Sequence, residues 1–193
     1  MIPHKLIYNY DEFDDLARKL LKKAPSHRAD DILKTFATEL YHQDIKLVDS
    51  TMFLNKYLVK PVCYTETEPD KEIWEDIHFG VKIARKIASM DIGQSVIVKD
   101  KGIITVEAIE GTDATIRRAG NYVKDFCLVK VCKPKQDLRF DVPVIGIGTI
   151  KNLIFAGGKT IAISAQKALF FDQEEVIQKA NENGIIIIGI KDP

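Results

Sequence analysis

Residues 96–109 read Val-Ile-Val-Lys-Asp-Lys-Gly-Ile-Ile-Thr-Val-Glu-Ala-Ile, two apolar runs separated by a short polar segment. Asp100-Lys101-Gly102 has turn chemistry, so the stretch predicts a β-hairpin. Four further short apolar runs follow along the chain, at 126–131, 160–164, 168–171 and 185–190. Strand-sized runs that alternate with helical segments indicate an α/β fold. The last run is apolar on both faces, which predicts a central strand.

Apolar residues at helical spacing predict the helices around these strands. Three long amphipathic helices are expected, from Phe13 to Leu21, from Ile32 to Tyr41 and from Ile73 to Ala88. Shorter helices are expected near Asp113, over 149–155, and after Asp172, which has capping-box spacing to Glu175.

Few of the first sixty residues are predicted to form β-strands. Ile45 to Val48 is predicted as a strand, and Thr51 is expected to cap a short helix that reaches Leu58. Residues 60–71 contain two prolines and no apolar period, which predicts a linker between domains at 1–59 and 72–193. One short strand is too little to complete a sheet and a hydrophobic core. The N-terminal part is therefore expected either to dock on the second domain or to lack strands in front of Met1.

Composition excludes several classes of protein. The 193 residues carry 28 basic and 28 acidic side chains, which argues against a broad nucleic-acid interface. Cys63, Cys127 and Cys132 form no CxxC pair, so reduced, packed thiols in a cytoplasmic protein are expected. No apolar run approaches the ~20 residues of a membrane helix. We therefore expect a soluble protein that at most rests on a membrane surface.

Carboxylates and cations alternate among turn residues from Glu107 to Pro143. Such groups can hold Mg²⁺ and neutralise phosphate oxygens. Glu110-Gly-Thr-Asp113 follows a strand and opens a helix. It is either a turn with Asp113 as the N-cap, or a phosphate or metal site at a helix start. Arg117 and Arg118 point about 100° apart on that helix, so at most one should face a pocket.

The densest charged segment runs from Lys133 to Pro143 and includes Asp137, Arg139 and Asp141. It is either an exposed charged loop or an ordered extended segment. Residues 133–148 as a whole are predicted to form a loop. Pro143 restrains the residue before it, which fixes the direction of Asp141 and makes it a candidate metal ligand or general base. The four histidines are isolated and are expected at the surface.

From Gly80 to Ile190 the chain resembles the C-terminal domain of the LpxI-type UDP-2,3-diacylglucosamine pyrophosphatases. The matching pieces occur in the family's order and spacing: Asp91-Ile-Gly-Gln94, Val106 to Asp113, Arg117-Arg118-Ala-Gly120, Lys130, Lys133-Pro134, Gln136 to Pro143, and Ile145-Gly146. Residues 28–58 resemble the latter part of the family's N-terminal domain. The fold this implies is a partial Rossmann-like N-terminal domain joined by a linker to a mixed α/β catalytic domain.

The resemblance implies a reaction of lipid A biosynthesis. Water attacks the α-phosphorus of UDP-2,3-diacylglucosamine and releases UMP and 2,3-diacylglucosamine 1-phosphate, called lipid X. The family needs a divalent cation, typically Mg²⁺, and Asp141 matches its essential aspartate. A cytoplasmic enzyme with transient contact to the inner membrane surface is expected, and a homodimer is a further expectation.

The residue pattern and the resemblance together give a hypothesis for the site. Asp141 would bind the metal or activate water, with Asp113 as a second catalytic residue and Glu110 and Asp137 as further metal ligands. Four cations would neutralise the diphosphate, and Gln94 would contact the substrate. The four cations are Arg117, Lys130, Lys133 and Arg139.

Family members begin with a strand and a Gly-Gly-Gly loop, and no such segment precedes Tyr10. Roughly the first third of a typical member is therefore expected to be missing. Two alternatives follow. The chain could be a module that binds a nucleotide or lipid phosphate without hydrolysis, or a structural fragment that dimerises through uncovered apolar surface.

Overall fold

The computed structural model describes residues 13–133, 137–140 and 142–191. These residues form two compact units, one of residues 13–53 with 137–140 and the other of residues 54–133 with 142–191. Asp141 lies outside the described residues. The domains expected at 1–59 and 72–193, and the linker at 60–71, stay predictions.

The first unit contains two amphipathic helices, both confirming the sequence pattern. The helix α1 (Asp15–Lys23) begins after Asp14, whose carboxylate accepts the N–H of Ala17 at 2.7 Å. The helix α2 (Ala29–His42) follows, with acidic residues in its first turn. These acidic residues lie at the end of the helix where the backbone dipole favours negative charge.

The strand expected from Ile45 to Val48 is not formed. The N–H of Ile45 donates to the carbonyl of Leu40 at the end of α2, and Ile45 and Val48 are about half exposed. The helix expected after Thr51 shortens to a single 3₁₀ turn, Asn55–Tyr57, in the second unit. The Thr51 hydroxyl bonds to Asp49 rather than capping a helix.

The second unit contains the sheet. Its elements in chain order are α3 (Lys71–Ser89), β1 (Ser95–Lys99), β2 (Gly102–Val106), α4 (Thr112–Ala119), β3 (Phe126–Lys130), β4 (Val144–Ile145), α5 (Ile147–Ala156), β5 (Gly158–Ser164), β6 (Leu169–Phe170), α6 (Gln173–Glu182) and β7 (Ile186–Ile190). Five strands pair in the order β2-β1-β3-β5-β7. β1 is antiparallel to β2 and β3, whereas β3, β5 and β7 are parallel. This mixed sheet confirms the α/β fold.

Alternate residues of the strands point to two hydrophobic layers. Val96, Val98 and Val129 pack with Ile77 and Ala84 of α3 on one face. The other face packs against α4, α5 and α6, and includes Ile97, Leu128, Ile116, Leu153 and Val176. Cys127 and Cys132 are buried, as their predicted packing role requires. The sheet is therefore covered by helices on both faces.

β7 is the last strand of the five-stranded sheet, so the prediction of a central strand is wrong. Residues 62–64, which lie in the predicted linker, cover its outer edge. The N–H of Gly189 donates to the carbonyl of Val62, and the N–H of Tyr64 donates to that of Ile187. All residues of β7 are buried. Its apolar sequence therefore reflects burial on both faces, which a covered edge strand shares with a central one.

The predicted β1–β2 hairpin is confirmed, with a turn in which Asp100 and Lys101 both have left-handed backbone (φ 51° and 59°). The carboxylate of Asp76 on α3 accepts both of their N–H groups, at 3.0 and 2.6 Å. The turn is thereby bonded to the helix that packs beneath the sheet.

Two expectations for the later part of the chain are wrong. Asp172 precedes α6 in a left-handed conformation (φ 51°) and its side chain makes no capping hydrogen bond. The expected capping box is therefore not formed. The expected loop over 133–148 contains β4, which pairs in parallel with β6, and the start of α5.

Candidate functional site

The candidate site lies in the second unit, at the end of the sheet where β2 and β3 end and where β1, which lies between them, begins. Ser95 at the start of β1 pairs with Lys130 at the end of β3, because these strands are antiparallel. Glu107 directly follows β2, and its N–H donates to the carbonyl of Ser95. Thr112, the first residue of α4, lies close to all three. Polar side chains from four elements therefore meet at one end of the sheet.

A chain of hydrogen bonds joins these residues. Lys130 Nζ donates to Thr112 Oγ1 at 2.9 Å, and Thr112 Oγ1 donates to Glu107 Oε1 at 3.0 Å. The backbone N–H of Gln94 donates to Glu107 Oε2 at 3.4 Å. Glu107 is only 3% exposed, so its carboxylate depends on these donors to offset the cost of burial. The network holds the Lys130 ammonium group at a fixed place.

A cavity of about 300 Å³ opens beside this network. Its lining includes three of the predicted site residues, Glu110, Asp113 and Lys130, together with Thr112 and Thr149. Gly111 precedes α4 with a left-handed backbone (φ 80°) and offers no side-chain cap. Asp113 lies in the first helical turn instead of at the N-cap position, so the expected Asp113 N-cap is wrong. The amino end of α4 at the cavity favours an anion.

Glu110 is bonded to Arg118. Arg118 Nη2 donates to Glu110 Oε1 and to the carbonyl of Val106. Partial burial acts to raise the pKa of Glu110, but its own backbone N–H and the Arg118 guanidinium outweigh burial and lower that pKa. Glu110 is therefore an ionised carboxylate with a cationic partner.

Neither Arg117 nor Arg118 is among the residues that line this cavity. Arg117 Nη1 donates to Asn152 of α5 at 2.7 Å. Its predicted contact with substrate stays a prediction.

Lys133 and Gln94 lie close to the same strand ends. Lys133 forms an ion pair with Asp91, and both side chains are largely buried. The carbonyl of Gln94 accepts the N–H of Val131, just after β3. The backbone of Gln94 thus bonds on one side to β3 and on the other to Glu107. The roles expected for Lys133 and Gln94 in substrate binding stay predictions.

Asp137 and Arg139 lie in the first unit and bond to each other. Arg139 Nε and Nη2 donate to the two carboxylate oxygens of Asp137 at 2.9 and 2.8 Å. This pairing lowers the pKa of Asp137 and raises that of Arg139. The Arg139 guanidinium also lies 4.9 Å from the centre of the Phe140 ring. Asp141, the expected catalytic and metal-binding aspartate, lies outside the described residues.

In the described part of the chain, no three His, Cys, Asp or Glu side chains form a group that could hold a metal ion. Glu110 and Asp137, the expected metal ligands within that part, are each paired with an arginine. The described carboxylates therefore do not form a metal site by themselves.

Sequence reasoning missed Glu107 and Thr112, the two residues that join Lys130 to the protein interior. One signal was present. Glu107 is a carboxylate directly after an apolar strand, where a buried charge needs specific partners. Those partners are the hydroxyl of Thr112 on α4 and the backbone N–H of Gln94 just before β1, which the fold brings to Glu107.

Comparison with known proteins gives two matches. The family described as the LpxI C-terminal domain matches residues 60–188. The UDP-2,3-diacylglucosamine pyrophosphatase LpxI of Caulobacter vibrioides is 35% identical over 134 residues, covering 65% of this chain and 48% of that protein. The chain therefore spans about half the length of this curated relative. Among the described helices, none has the length and apolar character needed to cross a membrane.

Proposed function

The chain belongs to the family of the LpxI C-terminal domain, and from this membership we propose that it hydrolyses UDP-2,3-diacylglucosamine to UMP and lipid X. In the proposed reaction, water attacks the α-phosphorus and the bond from that phosphorus to the bridging oxygen breaks. The water oxygen stays with UMP, and the lipid leaves as its 1-phosphate. The place of this step is proposed to be lipid A biosynthesis.

The observation that supports the proposal is the fixed position of Lys130 beside the cavity at the amino end of α4. Lys130 is already held by Thr112 and, through Thr112, by the buried Glu107 carboxylate. Its side chain therefore loses little conformational entropy when it binds a phosphate. The helix start adds N–H groups that favour the same charge. Both features suit the diphosphate of a nucleotide-linked lipid.

Other residues are proposed for the remaining roles. Asp141 or Asp113 would accept the proton of the attacking water. The other proposed contacts to substrate are Gln94, Arg117, Lys133 and Arg139. Requirement for Mg²⁺, with Asp141, Glu110 and Asp137 as ligands, is proposed from the family resemblance alone.

Lys130→Met tests the proposal, because it keeps the length of the side chain and removes the charge. Loss of one well-placed charge-stabilising group is expected to lower the rate of UMP release by ~10² to 10³. Lys159→Met, at the start of β5 and outside the cavity lining, is the matched control and should keep the rate of the natural protein. The measurement is UMP release from UDP-2,3-diacylglucosamine with Mg²⁺. Equal rates for the two variants would contradict the role of Lys130.

A second candidate is binding of a nucleotide or lipid phosphate without hydrolysis. The observation that favours it is that Lys130 and the amino end of α4, which border the cavity, are groups that bind a phosphate. Calorimetry with UMP and with lipid X, beside the hydrolysis assay, separates the two functions. Binding without UMP release would favour the module, whereas release would favour the hydrolase. A cytoplasmic location, contact with the inner membrane surface and a homodimer are proposed along with the hydrolase.

A further inference from the structure

A second and larger cavity lies on the α3 side of the sheet and shares no lining residue with the cavity of the candidate site. It has a volume of about 940 Å³ and is bounded by α3 and the carboxyl end of β7. We call it the α3–β7 groove. Trp74, Ile77, Val81 and Ile190 supply much of its apolar lining. Ile77 and Ile190 are buried, and Trp74 and Val81 are partly exposed, so the groove has an apolar floor open to solvent.

The charged residues of the groove all have the same sign. Lys82 and Lys86 lie one helical turn apart on α3, and Lys191 follows β7, all three exposed. Arg85 also lines the groove. Among its described lining residues there is no carboxylate, although the whole chain carries 28 acidic side chains against 28 basic ones. The groove is therefore a local concentration of positive charge around an apolar surface.

Apolar surface bordered by lysines is the combination that binds the interface of an anionic bilayer. The aromatic and aliphatic side chains enter the acyl boundary, while the lysines meet lipid phosphates. Trp74 suits this position because an indole ring prefers the boundary between hydrocarbon and water. A soluble nucleotide or phosphate would use the lysines but leave the apolar floor without a partner.

We propose that the α3–β7 groove docks on anionic phospholipid at a membrane surface. The proposed function includes contact with a membrane surface, and the groove and the anionic phospholipid are the two partners of that contact. In that respect the inference rests on the proposed function. Its test uses vesicles without nucleotide-linked lipid. Failure to bind them and failure to release UMP are therefore separate results.

Trp74 is the single tryptophan of the chain, so its fluorescence reports on the groove alone. The experiment mixes the full chain with vesicles of phosphatidylcholine, or of phosphatidylcholine with phosphatidylglycerol, and measures co-sedimentation and Trp74 emission. Binding and a blue shift are expected with the anionic vesicles only, and both should weaken as salt is added. Absence of binding to anionic vesicles would overturn the proposal, as would binding that leaves Trp74 emission unchanged.

A pair of double variants tests the charged side. Lys82→Glu with Lys86→Glu should weaken vesicle binding at least about tenfold, since each lysine near an anionic surface contributes to affinity. Lys151→Glu with Lys179→Glu changes the net charge equally, at an exposed position of α5 and a partly exposed position of α6, outside the groove, and should bind like the natural protein. Equal weakening by both pairs would reveal a general charge effect and overturn the assignment. A Trp74 shift that follows protein concentration without lipid would place a second copy in the groove, and would also overturn it.

Discussion

At the scale of single residues, the hydroxyl of Thr112 links Lys130 to Glu107 in the candidate site. It donates to the buried Glu107 carboxylate and accepts from Lys130. Thr112→Val keeps the shape of the side chain but leaves a carboxylate oxygen without this donor. We expect a loss of about 1–3 kcal/mol in the free energy of unfolding, the usual cost of an unsatisfied buried group. Thr112→Ser keeps the hydroxyl and is the control. Urea unfolding of both variants is the measurement, and similar losses would show that the hydroxyl is not what matters.

Glu110 adds a pH dependence at the same scale. Its pKa is lower in the folded protein, where its own backbone N–H and Arg118 outweigh the opposing effect of burial. Its contribution to stability is therefore fully present above the ordinary Glu pKa of about 4.3, and it is lost as the pH falls through the lowered folded value. Arg118→Gln should flatten the dependence of the melting temperature on pH in this acidic window. Parallel melting curves against pH for the variant and the natural protein would contradict this expectation.

The residue pattern identified Glu110, Asp113 and Lys130 as site candidates, and these three line one cavity. It could not find the role of Glu107, because its carboxylate accepts from the backbone N–H of Gln94, just before β1, and from the hydroxyl of Thr112 on α4. Nor could it foresee that Glu110 bonds to Arg118 and Asp137 to Arg139. Local charge patterns show which groups are available, whereas pairing is decided by side-chain direction in the folded chain.

At the scale of elements, Asp76 connects α3 to the β1–β2 hairpin. It accepts the N–H groups of Asp100 and Lys101, the two left-handed residues of the turn. Asp76→Ala removes both bonds from a nearly buried position and should destabilise the protein by about 2 kcal/mol. The neighbouring Glu75→Ala removes an exposed ion pair with Lys101 and should cost about 0–1 kcal/mol. Chemical unfolding of the two variants compares them directly, and equal losses would rule out the special role of Asp76.

The elements also show where sequence patterns succeed. The hairpin and the long helix α3 were predictable because their signals, a polar turn between apolar runs and a helical period, are local. The position of β7 at the sheet edge was not predictable, since its apolar sequence only requires that both faces be covered. The strand expected from Ile45 to Val48 failed for a related reason. Two β-favouring residues cannot form a strand without a partner to complete its hydrogen bonds.

At the scale of the whole molecule, the question is whether a chain spanning about half of its curated relative carries the full reaction. We expect the natural chain to release UMP from UDP-2,3-diacylglucosamine with Mg²⁺, and a chelator to stop the release. Asp141→Asn keeps the size of the side chain but removes its charge, so it can neither bind a metal as a carboxylate nor act as a base. We expect its rate to fall ~10² to 10³-fold, as for other groups that stabilise a transition state.

Asp125→Asn is the matched control for this variant. Asp125 has a left-handed backbone (φ 55°), which asparagine tolerates well, and it precedes β3 at the end opposite Lys130. It should keep both the melting temperature and the rate. If Asp141→Asn also keeps its rate while the natural chain is active, the catalytic aspartate is elsewhere. If the natural chain binds UMP but releases none from the lipid, the non-hydrolytic module is the better description, because the cavity beside Lys130 would then hold a phosphate without the groups that activate water.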